Sequence, residues 1–558
     1  VVGVSLAVLL PLILYADRFI AAEKTLYQAD HVAYWSFCVG LAQGLTGQPV
    51  AAVAAIADSV AHQELNLLPA TPVALAMTVL GPSRLAYVAS ILLVYGLLVI
   101  AALVLALWAL RFQPTPPDVP TLIVAAAWAI LMVPALWYPV FRGYIGLGGV
   151  AIGLAVLALY LRRPPVDTEL KDLLVLGFLV GLLALFRRWY SFWSVAFCGV
   201  VALESVWCAW AARGRRRVVW RCFRPPVVVG SSAVATLAVL AAPVALRRLG
   251  AGYSEEFVSY SSTTGIAGLV SPAVFQFGAL TLAAVVAAIV WLMRSGRRRV
   301  AAVIVLQLML AFGMMAVVQD HGPQHWHLYA PGMLLLLGLA ACGLLSGMGS
   351  SARRRVVALM LCAAGMMVTA VVMVPGATAT GAVDAVLPGL RLRPVVRQDL
   401  AEVRRLLEYL DDVAAVRPGF FYVLGSSAVF SDQALAFANM SLEEDFVSTS
   451  LILQGAHVDR RDGFPRGLLE ADYVVVADPP QVHLGRSHQQ VVVIPSESFA
   501  SGTDVAAAFR KLPAEFDLDA GLRVSVYRKT RPILESEIAE MSDRLRALYP
   551  DRPDIYKP

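Results

Sequence analysis

Eleven stretches of about 20 mostly apolar residues, each long enough to cross a bilayer core as a helix, run through the first two thirds of the chain. They begin near Val1, Arg84, Thr121, Gly143, Leu170, Tyr190, Val227, Val274, Val300, Leu328 and Val356. A segment in lipid must satisfy its own backbone hydrogen bonds, so these stretches predict helices and a polytopic α-helical membrane protein. The totals agree: 59% of the 558 residues are hydrophobic, 15% are charged and the mean hydropathy is +0.70, values that exclude an ordinary soluble chain. The chain opens at Val1 without a methionine, so a few native residues are expected before it. No small-residue cleavage site follows the first stretch, which therefore reads as a span and not as a removed signal.

Charge then orients the spans. Basic clusters at Arg162-Arg163, at Arg213 to Arg217 with Arg221 and Arg224, at Arg294 with Arg297 to Arg299, and at Arg353 to Arg355 occupy alternate connections. Cytoplasmic loops carry the Lys/Arg excess. Placing all four inside puts the N-terminus in the cytoplasm and everything after about Val374 outside. The same parity sends Asp30, Arg142, Arg187-Arg188, Arg247-Arg248, the run QDHGPQHWH and all eight histidines to the outer face.

From Arg397 onward 18 Lys+Arg stand against 25 Asp+Glu, a net charge of −7, whereas the preceding residues carry +13. The pI of 9.0 is thus a property of the membrane part and no sign of nucleic-acid binding. The expected organisation is a transmembrane domain over 1–380, a linker over 381–396 and an acidic α/β domain over 397–558. The long first outer loop, 17–69, holds two interfacial helices in HVAYWSFCVGLAQGL and PVAAVAAIADSVAHQ. In the C-terminal domain FFYVLGSS, DYVVVADP, QQVVVIP and RVSVYRK read as strands. DLAEVRRLLEYLDDV, SDQALAFANM, DVAAAFRKL and ESEIAEMSDRLRAL read as helices. All six cysteines lie before Arg397, with no metal-ligand spacing, so the C-terminal domain folds without disulfides.

Four groups of residues can carry chemistry. Asp30, just outside the bilayer and flanked by His31, Tyr34 and Trp35, has the character of a general base for a hydroxyl, and equally of a hydrated loop carboxylate. Arg187-Arg188 stand at a helix boundary before Trp189 and Tyr190, and Arg247-Arg248 precede Tyr253. Arginine forks match phosphate, although arginines at helix ends also snorkel to headgroups. His321, His325 and His327, beside Asp320, could hydrogen-bond phosphate or sugar hydroxyls or pack in the aromatic belt. A divalent metal is a further option, but the H-x3-H-x-H spacing fits no standard zinc pattern. Glu204, inside the sixth stretch, should face other helices. Glu255 and Glu256 could face an acceptor, and Gly425-Ser426-Ser427 reads as a structural turn.

The first outer loop with its early acidic residue in QADHVAYW, the many spans and the C-terminal outer domain together resemble the GT-C superfamily. These are integral-membrane glycosyltransferases, and the likeness is nearest to bacterial protein O-mannosyltransferases and lipid A aminoarabinose transferases. Members often carry a second acidic residue after the first; here that position is His31. The resemblance implies transfer of a sugar from a polyprenyl-phosphate donor to a glycan, lipid or protein acceptor at the outer face of the bacterial cytoplasmic membrane. It implies Asp30 as base and inversion at the sugar. Arg187, Arg188, Arg247 and Arg248 would sit on the donor phosphate, and His31, Tyr34, Tyr190, Tyr253, His321, His325 and His327 on the substrates. No nucleotide site is needed, and a divalent metal remains an option as cofactor. A flippase for lipid-linked substrates and a non-catalytic membrane scaffold are the competing readings; a transporter should show broken or charged helices at mid-membrane, often in repeated halves.

Overall fold

The computed structural model describes residues 2–110, 117–213, 216–250, 257–261, 265–348, 351–373, 386 and 393–558. The eleven apolar stretches are all helical. In chain order the main helices are α1 (Val2–Ala22), α2 (Ala29–Gly47), α3 (Pro49–His62), α4 (Thr71–Leu80), α5 (Arg84–Ala109), α6 (Val119–Leu131), α7 (Leu147–Leu161), α8 (Leu170–Phe186), α9 (Tyr190–Ala211) and α10 (Arg216–Gly250). They continue with α11 (Gly265–Phe277), α12 (Ala279–Arg294), α13 (Arg298–Val318), α14 (Ala330–Ser346) and α15 (Ser351–Met373). Among the described residues α5, α9, Val218–Arg247 of α10 and α13 are long and apolar enough to cross a membrane as single rods. Two bent pairs add to these: α6 with Pro134–Phe141, at 75°, and the end of α11 with α12, at 96°. The expected eleven spans thus appear as apolar helical stretches; among the described residues four, or six with the bent pairs, are long and apolar enough to cross, while α7, α8 and α14 stop at 15, 17 and 17 residues.

Two compact units result. The first comprises Val1–Ala21, Tyr34–Ala251 and Ser262–Arg393; the second comprises Ala22–Ala33, Gly252–Ser261 and Pro394–Pro558. In the first, glycines set the closest helix approaches. A Cβ on Gly177 or Gly181 of α8 would lie 2.5 Å from Val229 O or 2.9 Å from Ala233 O of α10, so this small-xxx-small face lets two backbones meet. Where α6 ends, the carbonyl of Met132 accepts from Thr281 Oγ1 at 2.7 Å, so the break satisfies a backbone group that would otherwise be lost to lipid. Glu204 of α9 does face neighbouring helices. It pairs with Arg299 Nε and accepts from the Tyr160 hydroxyl, each at 2.5 Å, so Arg299 is an ion-pair partner as well as a member of a basic loop cluster.

The second unit is a five-stranded mixed sheet with order β2-β1-β3-β5-β4, formed by β1 (Phe421–Leu424), β2 (Ile452–Leu453), β3 (Tyr473–Asp478), β4 (Phe509–Leu518) and β5 (Leu522–Lys529). β1 runs parallel to β2 and β3, and β5 antiparallel to β3 and β4. One sheet face packs on α16 (Leu400–Val416) through Leu406, Leu407 and Leu410. The other packs on α17 (Gln490–Ser501) and α18 (Glu535–Leu548). Two expectations are corrected. QQVVVIP is the start of α17 and not a strand: Val491, Val492, Val493 and Ile494 are all buried, and periodicity cannot separate a fully buried helix from a buried strand. In DVAAAFRKL only Asp504–Ala508 makes a 3₁₀ turn, and Phe509 opens β4. The GSS segment is the structural turn expected, since Ser427 Oγ accepts from the amides of Val429 and Phe430.

Candidate active site

Within the first unit the site grows from the junction of α8 and α9. Phe186 ends α8, and Arg187 turns extended, with φ −151° and ψ 139°. The carbonyl of Leu185, freed at the helix end, accepts from Asn66 Nδ2 at 2.9 Å. Arg187 is therefore held on a break between two apolar helices, and it is only 5% exposed. Its guanidinium carbon lies 4.6 Å from the centre of the Tyr34 ring and 5.9 Å from that of Trp189. Such contacts are worth about 0.5–2 kcal/mol, more as water is excluded.

Trp35, the next residue of α2, serves a second buried arginine. Ser83 caps α5 by accepting from Ala86 N, which places Arg84 in the first turn. The Arg84 guanidinium lies 5.2 Å from the Trp35 ring and 5.5 Å from Tyr87, and donates to the Arg142 carbonyl at 2.7 Å. Gly143 makes room for it. Its φ is +84°, and a Cβ there would come within 2.6 Å of the guanidinium. The sequence reading passes over Arg84, yet the criterion applied to Arg187 and Arg247, an arginine on the outer face against the charge bias, also applies to it.

The histidines divide. His325 Nδ1 accepts from Gly322 N at 2.9 Å and its ring meets Trp189 edge-on at 5.7 Å. His327 is fully buried and donates through Nε2 to Leu136 O at 3.0 Å. His321 instead lies 2.5 Å from the Tyr329 hydroxyl and stacks on Trp326. Burial holds all three neutral. It pushes His327 down to about 4, helped by the charge of Arg187, and His321 down to about 4 against the pull of Asp320. It also takes His325 well below its usual value, with His321, Arg187 and Arg188 adding to the effect. Among the described residues no three His, Cys, Asp or Glu side chains converge as a metal would require. Two buried polar atoms, Trp189 Nε1 and His327 Nδ1, have no hydrogen-bond partner among the described residues. Both side chains border Gly146, where a Cβ would sit 2.6 Å from His327 Nδ1 and 3.1 Å from the Trp189 ring.

Arg187, Tyr34, Trp189, Tyr190, His325 and His327 are thus gathered in one neighbourhood, with Tyr190 donating to Gly146 O at 2.8 Å. Arg188 points elsewhere, to Glu64 at 3.2 Å, a half-exposed pair worth about 0–1 kcal/mol. Arg247 is exposed and donates to the His62 carbonyl. The side chain of Arg248, together with Tyr253, Glu255 and Glu256, lies outside the described residues.

Asp30 belongs to the second unit. It is half-buried in the first turn of α2, where free amides and the helix dipole favour a carboxylate. Lys24 bridges the chain beside Val396, with Lys24 N to Val395 O at 2.8 Å and Arg397 N to Lys24 O at 2.7 Å. Leu26 enters the core that contains Leu406 and Leu410. His31 Nε2 accepts from Gln28 N at 3.1 Å, so that nitrogen supports the turn before the helix. Ala29 is left-handed, with φ +54°, which costs a non-glycine residue about 1–2 kcal/mol.

ArnT from Cupriavidus metallidurans bound to undecaprenyl phosphate is similar in structure, with a TM-score of 0.50 and 11% identity over 96% of this chain and 99% of that one. The apo form of the same protein gives 0.48 and 12%, over 94% and 97%. The archaeal oligosaccharyltransferase AglB from Archaeoglobus fulgidus, in complex with an inhibitory peptide and a dolichol-phosphate, gives 0.45 and 11%, over 84% and 69%. No family model and no curated protein sequence matches. The chain is a polytopic membrane protein with the GT-C fold, its apolar helices in one unit and a C-terminal α/β domain in the other.

Proposed function

We propose that this protein transfers a sugar from a polyprenyl-phosphate carrier to an acceptor hydroxyl or amine at the outer face of the bacterial cytoplasmic membrane. The observation that carries the reading is Arg187, a buried cation set on Tyr34 at the break between α8 and α9, among histidines that burial keeps neutral. A fixed guanidinium in a dry, aromatic setting is suited to a phosphate whose lipid tail lies among apolar helices. The likeness in fold to a protein crystallised with undecaprenyl phosphate supports the same class of donor. Trp189 Nε1–H is a buried donor available to a phosphate oxygen.

In the reaction the acceptor atom attacks C1 of the sugar while Asp30 takes its proton. The C1–O bond to phosphate breaks with its electron pair on oxygen, and the carrier phosphate gains one negative charge. Arg187 stabilises that charge where it develops. One direct attack inverts the anomeric centre. Arg84 holds the second aromatic of α2 in place, and Tyr34 follows Asp30 by four residues in the same helix. A transporter would bind substrate at broken helices; the two bent pairs are where it would do so, and at the first the freed Met132 carbonyl is already taken by Thr281 of α12.

Purified protein supplied with polyprenyl-phosphate sugars and a panel of acceptors tests the reading. Asp30→Asn should lower kcat by about 10²–10⁴, leaving a measurable residual rate, and Arg187→Ala should lower it by about 10²–10³. Near-native turnover by Asp30→Asn would remove the base, and transport without transfer would establish a flippase.

A further inference from the structure

The short segment bearing Asp30 is not left to its own helix. Three side chains of one stretch of the C-terminal α/β domain grip it. Ser441 Oγ accepts from Tyr27 N at 2.9 Å, Ser431 Oγ donates to Gln28 Oε1 at 3.0 Å, and Gln433 Oε1 accepts from Ala29 N at 3.0 Å. The third contact meets the left-handed residue immediately before Asp30. A strained backbone persists where its surroundings over-determine it. Gln433 supplies that restraint by binding the amide of the strained residue itself. Ser431 also caps the short helix carrying Gln433, accepting from Ala434 N at 3.1 Å, so grip and scaffold share one hydroxyl.

We infer that Gln433, Ser431 and Ser441 are positioning residues: the C-terminal domain sets the place and direction of the Asp30 carboxylate through the turn at residues 27–29. The inference rests on the proposed role of Asp30 as base. It gives the α/β domain a part in the chemistry that no motif of its own reveals. A general base must lie within hydrogen-bond reach of the proton it takes, so a small displacement of this turn lowers the rate while leaving donor binding intact.

The experiment uses the full-length protein in detergent or nanodiscs and reads two quantities. Hydrogen exchange over residues 26–32 reports the grip directly, and transfer kinetics report its consequence. Gln433→Ala should speed exchange in that peptide by tenfold or more. It should lower kcat about tenfold with donor KM unchanged. Gln433→Glu keeps a side-chain oxygen acceptor and should restore both. In an Asp30→Asn background Gln433→Ala should cause no further loss, because it acts through the missing carboxylate. Unchanged exchange and kcat in Gln433→Ala and in the Ser431→Ala/Ser441→Ala double variant would overturn the inference while leaving Asp30 as base. An equal further loss in the Asp30→Asn background would also overturn it, by showing a merely structural role. Full turnover by Asp30→Asn alone would instead remove the underlying reading of the base, whatever the exchange data show.

Discussion

Arg187 and Arg84 show how two adjacent aromatics on one helix each seat a buried cation, Tyr34 under the first and Trp35 beside the second. Replacing Arg187 by Lys keeps the charge but loses the planar fork and the stacking, so most of the activity should go with it; a lysine variant at wild-type rate would show that charge alone suffices. His327 allows a pH test. Unfolded, it takes a proton near pH 6.5, whereas folded it resists until about 4. In that window the unfolded chain binds more protons, so stability present above pH 6.5 is lost on acidification, at about 1.4 kcal/mol per pH unit for one such group. Thermal unfolding should show Tm falling between pH 6.5 and 4, with a smaller fall in His327→Gln. At this scale the sequence discloses which residues are chemically able. Burial separates them: Arg187 is enclosed, while Arg188, its neighbour of the same type, is turned to Glu64 because an extended backbone sends consecutive side chains to opposite sides.

At the level of elements, glycine decides how near α8 comes to α10. Gly181→Ile puts a branched side chain where a Cβ already meets Thr236 at 2.8 Å. Overpacking of this kind typically costs about 1–3 kcal/mol, and it should lower Tm, whereas Gly230→Ala on α10, which meets nothing within 4 Å, should not. Gly143→Ala combines a left-handed φ with a clash on Arg84 and should cost both stability and activity. Helices were readable from runs of apolar residues alone, because lipid leaves the backbone few options. Their ends were less so: α7 and α14 stop short of a full crossing length, and the bends after α6 and α11 fall at Pro134 and at Gly278, whose φ is +76°, signals that a reading by apolar runs passes over. QQVVVIP, expected as a strand and found at the start of α17, is a different case. A run buried all round loses the one-sided pattern that distinguishes 3.6 from 2.

For the molecule as a whole, orientation is the claim that charge asymmetry makes and that labelling can check. In a cysteine-free background, Val416→Cys, at a site 85% exposed, should react with an impermeant maleimide in intact cells. Arg213→Cys should react only after lysis. The opposite pattern would place the α/β domain in the cytoplasm and sink the proposed chemistry. The composition change at Arg397 marks where the soluble part begins, but nothing local to residues 22–33 announces that they pack with it; that pairing is visible only once Leu26 and Lys24 find their partners. It also bears on how the protein is made. Gln28 leaves the ribosome 403 residues ahead of Ser431. At about 5–20 residues per second the early segment waits roughly 20–80 s for its clasp. If Asp30 is the base proposed above, a nascent or prematurely terminated polypeptide would have its apolar helices without a settled carboxylate, and should be inert toward lipid-linked sugar until residues 431–441 have emerged and folded.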